Sequence, residues 1–212
     1  MKLKLAVALL LSFSISFAIG ARVAARNGHQ ENRPGWISSA VQVSQVTGLP
    51  ARITQAEVST ESGRGISEIR YSIRNESRTL LNAARVLVIA IGPRDQVKAG
   101  ESWVEEGGLA DGATKDLVQP LRLHLQQDDR VVVMLASVAA TGGAAWSVDL
   151  KGIKVQDMIR GEAQASTTES LPECPPNFCS GNLALATNAC GASGVSEFSC
   201  SLSACSFSFK CK

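Results

Sequence analysis

The first 173 residues of this 212-residue chain contain no cysteine, and all six cysteines fall between Cys174 and Cys211. There is no C-x-x-C, which excludes a thioredoxin-like exchange motif. The two histidines, His29 and His124, both precede the cysteines, so the usual partner of cysteine in a structural zinc site is missing. No G-x-S-x-G elbow occurs, and no histidine lies near the serine-rich tail to suggest a triad. The stretch GGLADG (107–112) is not followed by Lys and Ser/Thr, so it is no phosphate-binding loop. Nowhere does an apolar run reach the roughly 20 residues that span a bilayer.

What is present begins with MKLKLAVALLLSFSISFAIGA. Lys2 and Lys4 precede an apolar run from Leu5 to Ile19, and Ser16 and Ala18 have the small-residue spacing that signal peptidase prefers. Residues 1–18 read as a secretory signal peptide cleaved after Ala18. The alternative is an uncleaved anchor, for which the run is short. Removing Lys2 and Lys4 leaves basic and acidic residues in equal number. A formally neutral mature chain argues against a nucleic-acid binder or a polybasic membrane-surface protein, since both need excess positive charge. Residues 19–35 are polar and aperiodic and read as a flexible arm.

From Trp36 the pattern becomes short apolar or alternating runs separated by turn residues. AVQVSQVT (40–47) is the first expected strand. ARITQAEVST (51–60) changes parity between Ile53 and Val58, as a bulge or loose edge would. In ISEIRYSIRN (66–75), Ile69, Tyr71 and Ile73 alternate with charged residues, the pattern of a half-buried strand. VLVIAIG (86–92) and VVVMLASVAA (131–140) are apolar on both faces and read as central strands. DLVQPLRLHLQ (116–126) alternates Leu121, Leu123 and Leu125 with polar residues. TGG and AAWSVDL (144–150) close a last hairpin. Seven or eight strands without a long intervening helix predict an all-β, antiparallel immunoglobulin-like sandwich over 36–150. A short helix is expected within 151–163.

QASTTESLPE (164–173) reads as a polar linker, and 174–212 as a small cysteine-rich module. That module is below the roughly 40 residues at which a core alone holds a fold. Export places its thiols where they oxidise, so Cys174, Cys179, Cys190, Cys200, Cys205 and Cys211 are expected to form three structural disulfides. The alternatives are a metal site or reactive thiols. In EFSCSL and CSFSFKC, cysteine and phenylalanine alternate with serine or lysine. A hairpin turning at Ser203-Ala204 sets Cys200 opposite Phe207 and puts Cys200, Cys205 and Cys211 on one face. Each bridge is then expected to join one of the first three cysteines to one of the last three, in an order the sequence leaves open.

Sites for chemistry are sparse. Glu105, Glu106, Asp111 and Asp116 form an acidic stretch in what reads as a glycine-rich loop, and match no calcium motif. His29 and His124 have no carboxylate or cysteine at ligand spacing and read as solvated. Asn75-Glu76-Ser77 matches an N-glycosylation acceptor and also an ordinary turn. Trp103 and Trp146 read as core residues, with carbohydrate stacking the alternative. No cofactor, metal or catalytic residue is assigned.

The leader, the strand IRYSIRNES running on to a second strand near Val86–Ile91, and AAWSVDL before a short helix together resemble small secreted immunoglobulin-like sandwich proteins of environmental bacteria. The resemblance covers about residues 40–160 and implies a sandwich and export, without any particular activity. The expected function is that of a secreted or periplasmic, non-catalytic binding or structural protein. Its partner would be a protein or carbohydrate surface, with no transmembrane segment left after cleavage. Two other readings are a carrier whose cysteine-rich tail is released as an effector or toxin-like peptide, and a hydrolase built around Glu105, Glu106 and His124.

Overall fold

The computed structural model describes residues 35–150, 153–168, 174 and 177–212. The expected signal peptide (1–18) and nearly all of the expected arm (19–35) lie outside the described residues. In chain order the elements are β1 (Trp36–Ser44), β2 (Ala51–Glu61), β3 (Ser67–Asn75), β4 (Leu81–Ile91), β5 (Val97–Leu109), β6 (Thr114–Leu121), β7 (Arg130–Ala140), β8 (Ala145–Val148), α1 (Val155–Arg160), β9 (Ala165–Thr168), α2 (Phe178–Cys190), β10 (Val195–Ser201) and β11 (Ser206–Cys211). The strands join in one curled, mixed sheet ordered β10-β11-β5-β4-β7-β1-β2-β3-β6, with β8 on β7 and β9 on β8.

The two continuous apolar runs explain the centre of this sheet. β4 and β7 pair antiparallel, and side chains alternate across them. Val86, Val88 and Ala90 with Val131, Val133 and Leu135 face Ile53, Val58, Ile69, Tyr71 and Ile73 of the curled-over β2–β3 layer. Leu87, Ile89 and Ile91 with Val132, Met134 and Ala136 face the other way, toward Met158 of α1, Leu185 and Ala186 of α2, and Phe207 and Phe209 of β11. A strand buried on both faces carries no polar phase, because each large side chain withdrawn from water stabilises the fold by about 1.5–3 kcal/mol.

Mixed pairing replaces the all-antiparallel expectation at one strand. The first half of β1 pairs antiparallel with β2, Trp36 opposite Glu61. The second half runs parallel to β7, Ala40 opposite Arg130 and Ser44 opposite Met134. β8 covers β7 only at Ser137–Ala139, so the start of that edge is available, and Val41 and Val43 reach the β2–β3 core from it. The parity change in β2 is a bulge between Ile53 and Gln55.

Two other boundaries differ from the sequence pattern. The Gly- and Glu-rich segment expected as a loop is the 13-residue strand β5, because the apolar run of β4 recruits it along its length from Ile91–Val97 to Leu81–Leu109. β6 ends at Leu121 although alternation continues to Leu125. Leu121 is opposite Ser67, the first residue of β3, and the next amide, that of Arg122, donates to the Glu101 carboxylate instead.

The described part of the expected linker and the hairpin of the expected separate module join the sheet. Ala165–Thr168 pair with β8, Trp146 opposite Thr167. β11 pairs with β5, Phe207 opposite Ser102 and Phe209 opposite Gly100. Polar composition hid these pairings, since β9 and β11 contribute main-chain hydrogen bonds and alternate residues rather than continuous apolar runs.

Candidate functional site

The cysteines organise the carboxy-terminal third. In α2, Phe178, Asn182, Leu185, Ala186 and Cys190 recur at helical spacing and are buried. That periodicity is present in the sequence but is obscured by Gly181 and by the cysteine spacing. The structure pairs Cys174 with Cys205, Cys179 with Cys200, and Cys190 with Cys211. Each bridge joins one of the first three cysteines to one of the last three, with Cα–Cα separations of 5.2, 5.8 and 5.3 Å respectively. Two of them fasten the ends of α2 to the β10–β11 hairpin, in which Cys200 is opposite Phe207 and Phe198 opposite Phe209. No cysteine is free, and among the described residues no group of three His, Cys, Asp or Glu could hold a metal ion. Three disulfides point to an oxidising compartment. Among the described residues no helix is long and apolar enough to cross a membrane.

Glu105, Glu106 and His124 are not brought together. Successive residues of a strand point to opposite faces. Glu105 turns toward the core between the layers, where one of its oxygens accepts from the Tyr71 hydroxyl, from Trp103 Nε1 at 2.8 Å and from Gln119 Nε2 at 2.9 Å. The Tyr71 ring packs against Trp103 with centroids 6.1 Å apart. Burial, reinforced by the hydrogen bond to Glu105, pushes the Tyr71 phenol well above its ordinary pKa. This cluster links β3, β5 and β6 through one oxygen of the Glu105 carboxylate. Glu106 lines a groove on the opposite face of the sheet, and exposed His124 borders a different groove, with Lys98 and Lys210. Trp103 and Trp146 pack against the core between the layers. His29 lies outside the described residues.

Asn75 is a buried corner. Its Nδ2 donates to the carbonyls of Thr79 and Leu109, both at 2.8 Å, and its Oδ1 accepts from the Ser77 amide. Both amide hydrogens are therefore committed to the fold. Asp111 lies in the β5–β6 turn, and Asp116 accepts from the Ser72 hydroxyl at 2.5 Å.

Two further charged groups drawn away from water, Glu101 buried and Arg85 half-buried, had no signal in the sequence. Glu101 is 5% exposed, and its carboxylate accepts the Arg122 amide at 3.1 and 3.2 Å. Burial raises its pKa to about 7, against the opposing pull of that amide. Arg85, on the other face, sits 4.4 Å from the centre of the Phe178 ring. Its Nε is buried without a hydrogen-bond partner, and burial lowers its pKa to about 10, which leaves it charged at neutral pH. Ser137, directly opposite Arg85 on β7, has an equally unpartnered buried hydroxyl. Both line a groove of about 770 Å³, together with Asn82, Glu106, Leu202 and the Cys174–Cys205 bridge. That volume falls in the range of small-ligand sites, roughly 300–1,000 Å³.

Compared with protein-family models, curated proteins and solved structures, the chain matches none.

Proposed function

We propose that the chain is exported by cleavage after Ala18 and acts outside the cytoplasm, in the periplasm or beyond, as a non-catalytic binding protein. On this reading its fold is a variant of the immunoglobulin-like sandwich, related to the secreted bacterial proteins it resembles. The observation that carries the proposal is the full pairing of all six cysteines around a helix that they press onto the sheet. Thiols kept reduced in the cytosol would leave α2 without that clamp.

The pairing order supports the sandwich reading. β2-β3-β6 make one layer and β5-β4-β7-β8 the other, with β1 crossing between them, an arrangement compatible with an immunoglobulin-like framework. The ligand surface is the groove over Arg85, built on central strands and walled by the stapled hairpin. Release of the tail as an effector is the weaker reading. It would strip β11 from β5 and expose Phe207 and Phe209, each 3% exposed in the folded chain. A hydrolase is weaker still, since its three expected residues point to separate places.

Intact mass of the secreted protein, with and without reduction and alkylation, tests the proposal. The expected result is a chain beginning at Ile19, uncut between residues 164 and 174, with no alkylatable thiol before reduction. A retained leader with six alkylated cysteines would remove it.

A further inference from the structure

Arg85 poses a specific physical problem. Arg85 is half-buried, and its Nε, shut off from water, has lost hydration that a hydrogen bond would have to replace. Arg85 has one ring beneath it and no ion pair or hydrogen bond among the described residues. Its neighbour across the strand pair, Ser137, is 3% exposed, and the hydroxyl again finds no partner. Buried polar groups in folded proteins are almost always satisfied, and two adjacent exceptions in one groove point to a group that arrives from outside.

The geometry narrows its chemistry. Arg85 and Ser137 face one another in the β4–β7 register, so a planar fork and a hydroxyl donor are presented side by side. Phe178 fixes the guanidinium plane from below, and Cys179, next in sequence, is bridged to Cys200. The donors therefore stand on rigid elements. Asn82 on the rim already accepts from Thr141 at 2.9 Å, which leaves its amide hydrogens free to donate. Against these donors stands one carboxylate, Glu106, on the same wall. Arg85 and Glu106 together leave the wall without net charge, which disfavours a dianion and leaves the geometry of the fork to select a singly charged group. The planar fork matches a carboxylate in bidentate fashion. Ala139, Ala140, Leu202 and Val104 supply apolar wall for a short carbon chain.

We propose that the groove over Arg85 and Ser137 binds the carboxylate of a small monoanionic organic ligand, held by the guanidinium fork and the serine hydroxyl. The inference rests on the binding-protein reading and names its ligand class.

The test is a ¹⁵N–¹H NMR titration of the oxidised protein with three probes: sodium hexanoate, inorganic phosphate and hexanol. Hexanoate is expected to shift the amides of Ser137 and Ala139 to saturation. The affinity should fall about tenfold or more in Arg85→Met, which keeps the stem over Phe178, and a few-fold in Ser137→Ala. Both variants should retain three bridges and the parent thermal transition. Tighter binding of phosphate, equal shifts with hexanol, shifts confined to other surfaces, or affinity unchanged in a folded Arg85→Met would each overturn the carboxylate site. Such a failure in a protein that is exported and fully oxidised removes the ligand class only. An unprocessed, thiol-bearing protein removes the reading beneath it.

Discussion

Gly100 of β5 and Phe209 of β11 oppose one another across the strand pair, and the absent side chain of the first is the space the ring of the second occupies. A Cβ built on Gly100 would lie 2.5 Å from Phe209 Cε1, well inside contact distance. Through this fit the stapled hairpin extends the central sheet along β5, with the rings of Phe207 and Phe209 stacked at 6.4 Å. Gly100→Ala is expected to lower stability by about 1–3 kcal/mol, as overpacking does. Adding Phe209→Leu should recover part of the loss in a double-mutant cycle, read by urea denaturation. Strict additivity of the two changes would show that the residues do not interact.

Glu101 makes stability depend on pH in a defined direction. Its folded pKa, about 7, lies above its ordinary value of 4.5, so the native state binds the proton more tightly than the unfolded chain. The stabilisation from the protonated carboxyl is complete below about pH 4.5 and is lost as pH rises through about 7. The full span corresponds to about 3 kcal/mol. Glu101→Gln should flatten this part of the profile and be the more stable protein at pH 8. Urea midpoints at pH 5, 6, 7 and 8 measure it, and parallel profiles for the two proteins would contradict the assignment.

Asn75 is expected to resist glycosylation in spite of its Asn-Glu-Ser context, because both Nδ2 hydrogens are bonded inside the fold. Expression in a glycosylating host should give a chain without added mass at this site. Asn75→Ala should cost about 2–3 kcal/mol, since it orphans a buried carbonyl.

Replacing Cys179 and Cys200 together by alanine removes one bridge without leaving a thiol. With 21 residues separating the pair, chain-entropy arguments give a loss of about 3 kcal/mol. The denaturation midpoint should fall accordingly, and the carboxylate affinity of the groove should fall with it, because Phe178 loses its anchor beneath Arg85. A lowered midpoint with unchanged affinity would separate the bridge from the site.

Much of the architecture was open to a reader of the residues, and the reason lies in periodicity. The two-residue alternation of Ile69, Tyr71 and Ile73 and the continuous runs of β4 and β7 could bury themselves only as strands, and the Phe/Cys alternation of the tail set Cys200 opposite Phe207. Six cysteines clustered between Cys174 and Cys211, in a chain expected to be exported, called for bridges. The tertiary structure decided everything that depends on a partner distant in sequence. It made a strand of the acidic segment 97–109 because β4 lay alongside, carried β1 from β2 to a parallel pairing with β7, and drew β9 and β11 into the sheet. It separated Glu105, Glu106 and His124, and it placed Arg85 beside Ser137 over the ring of Phe178. A local pattern reports which face of a segment avoids water; which charges are left buried without a counterpart is settled only when remote segments pack.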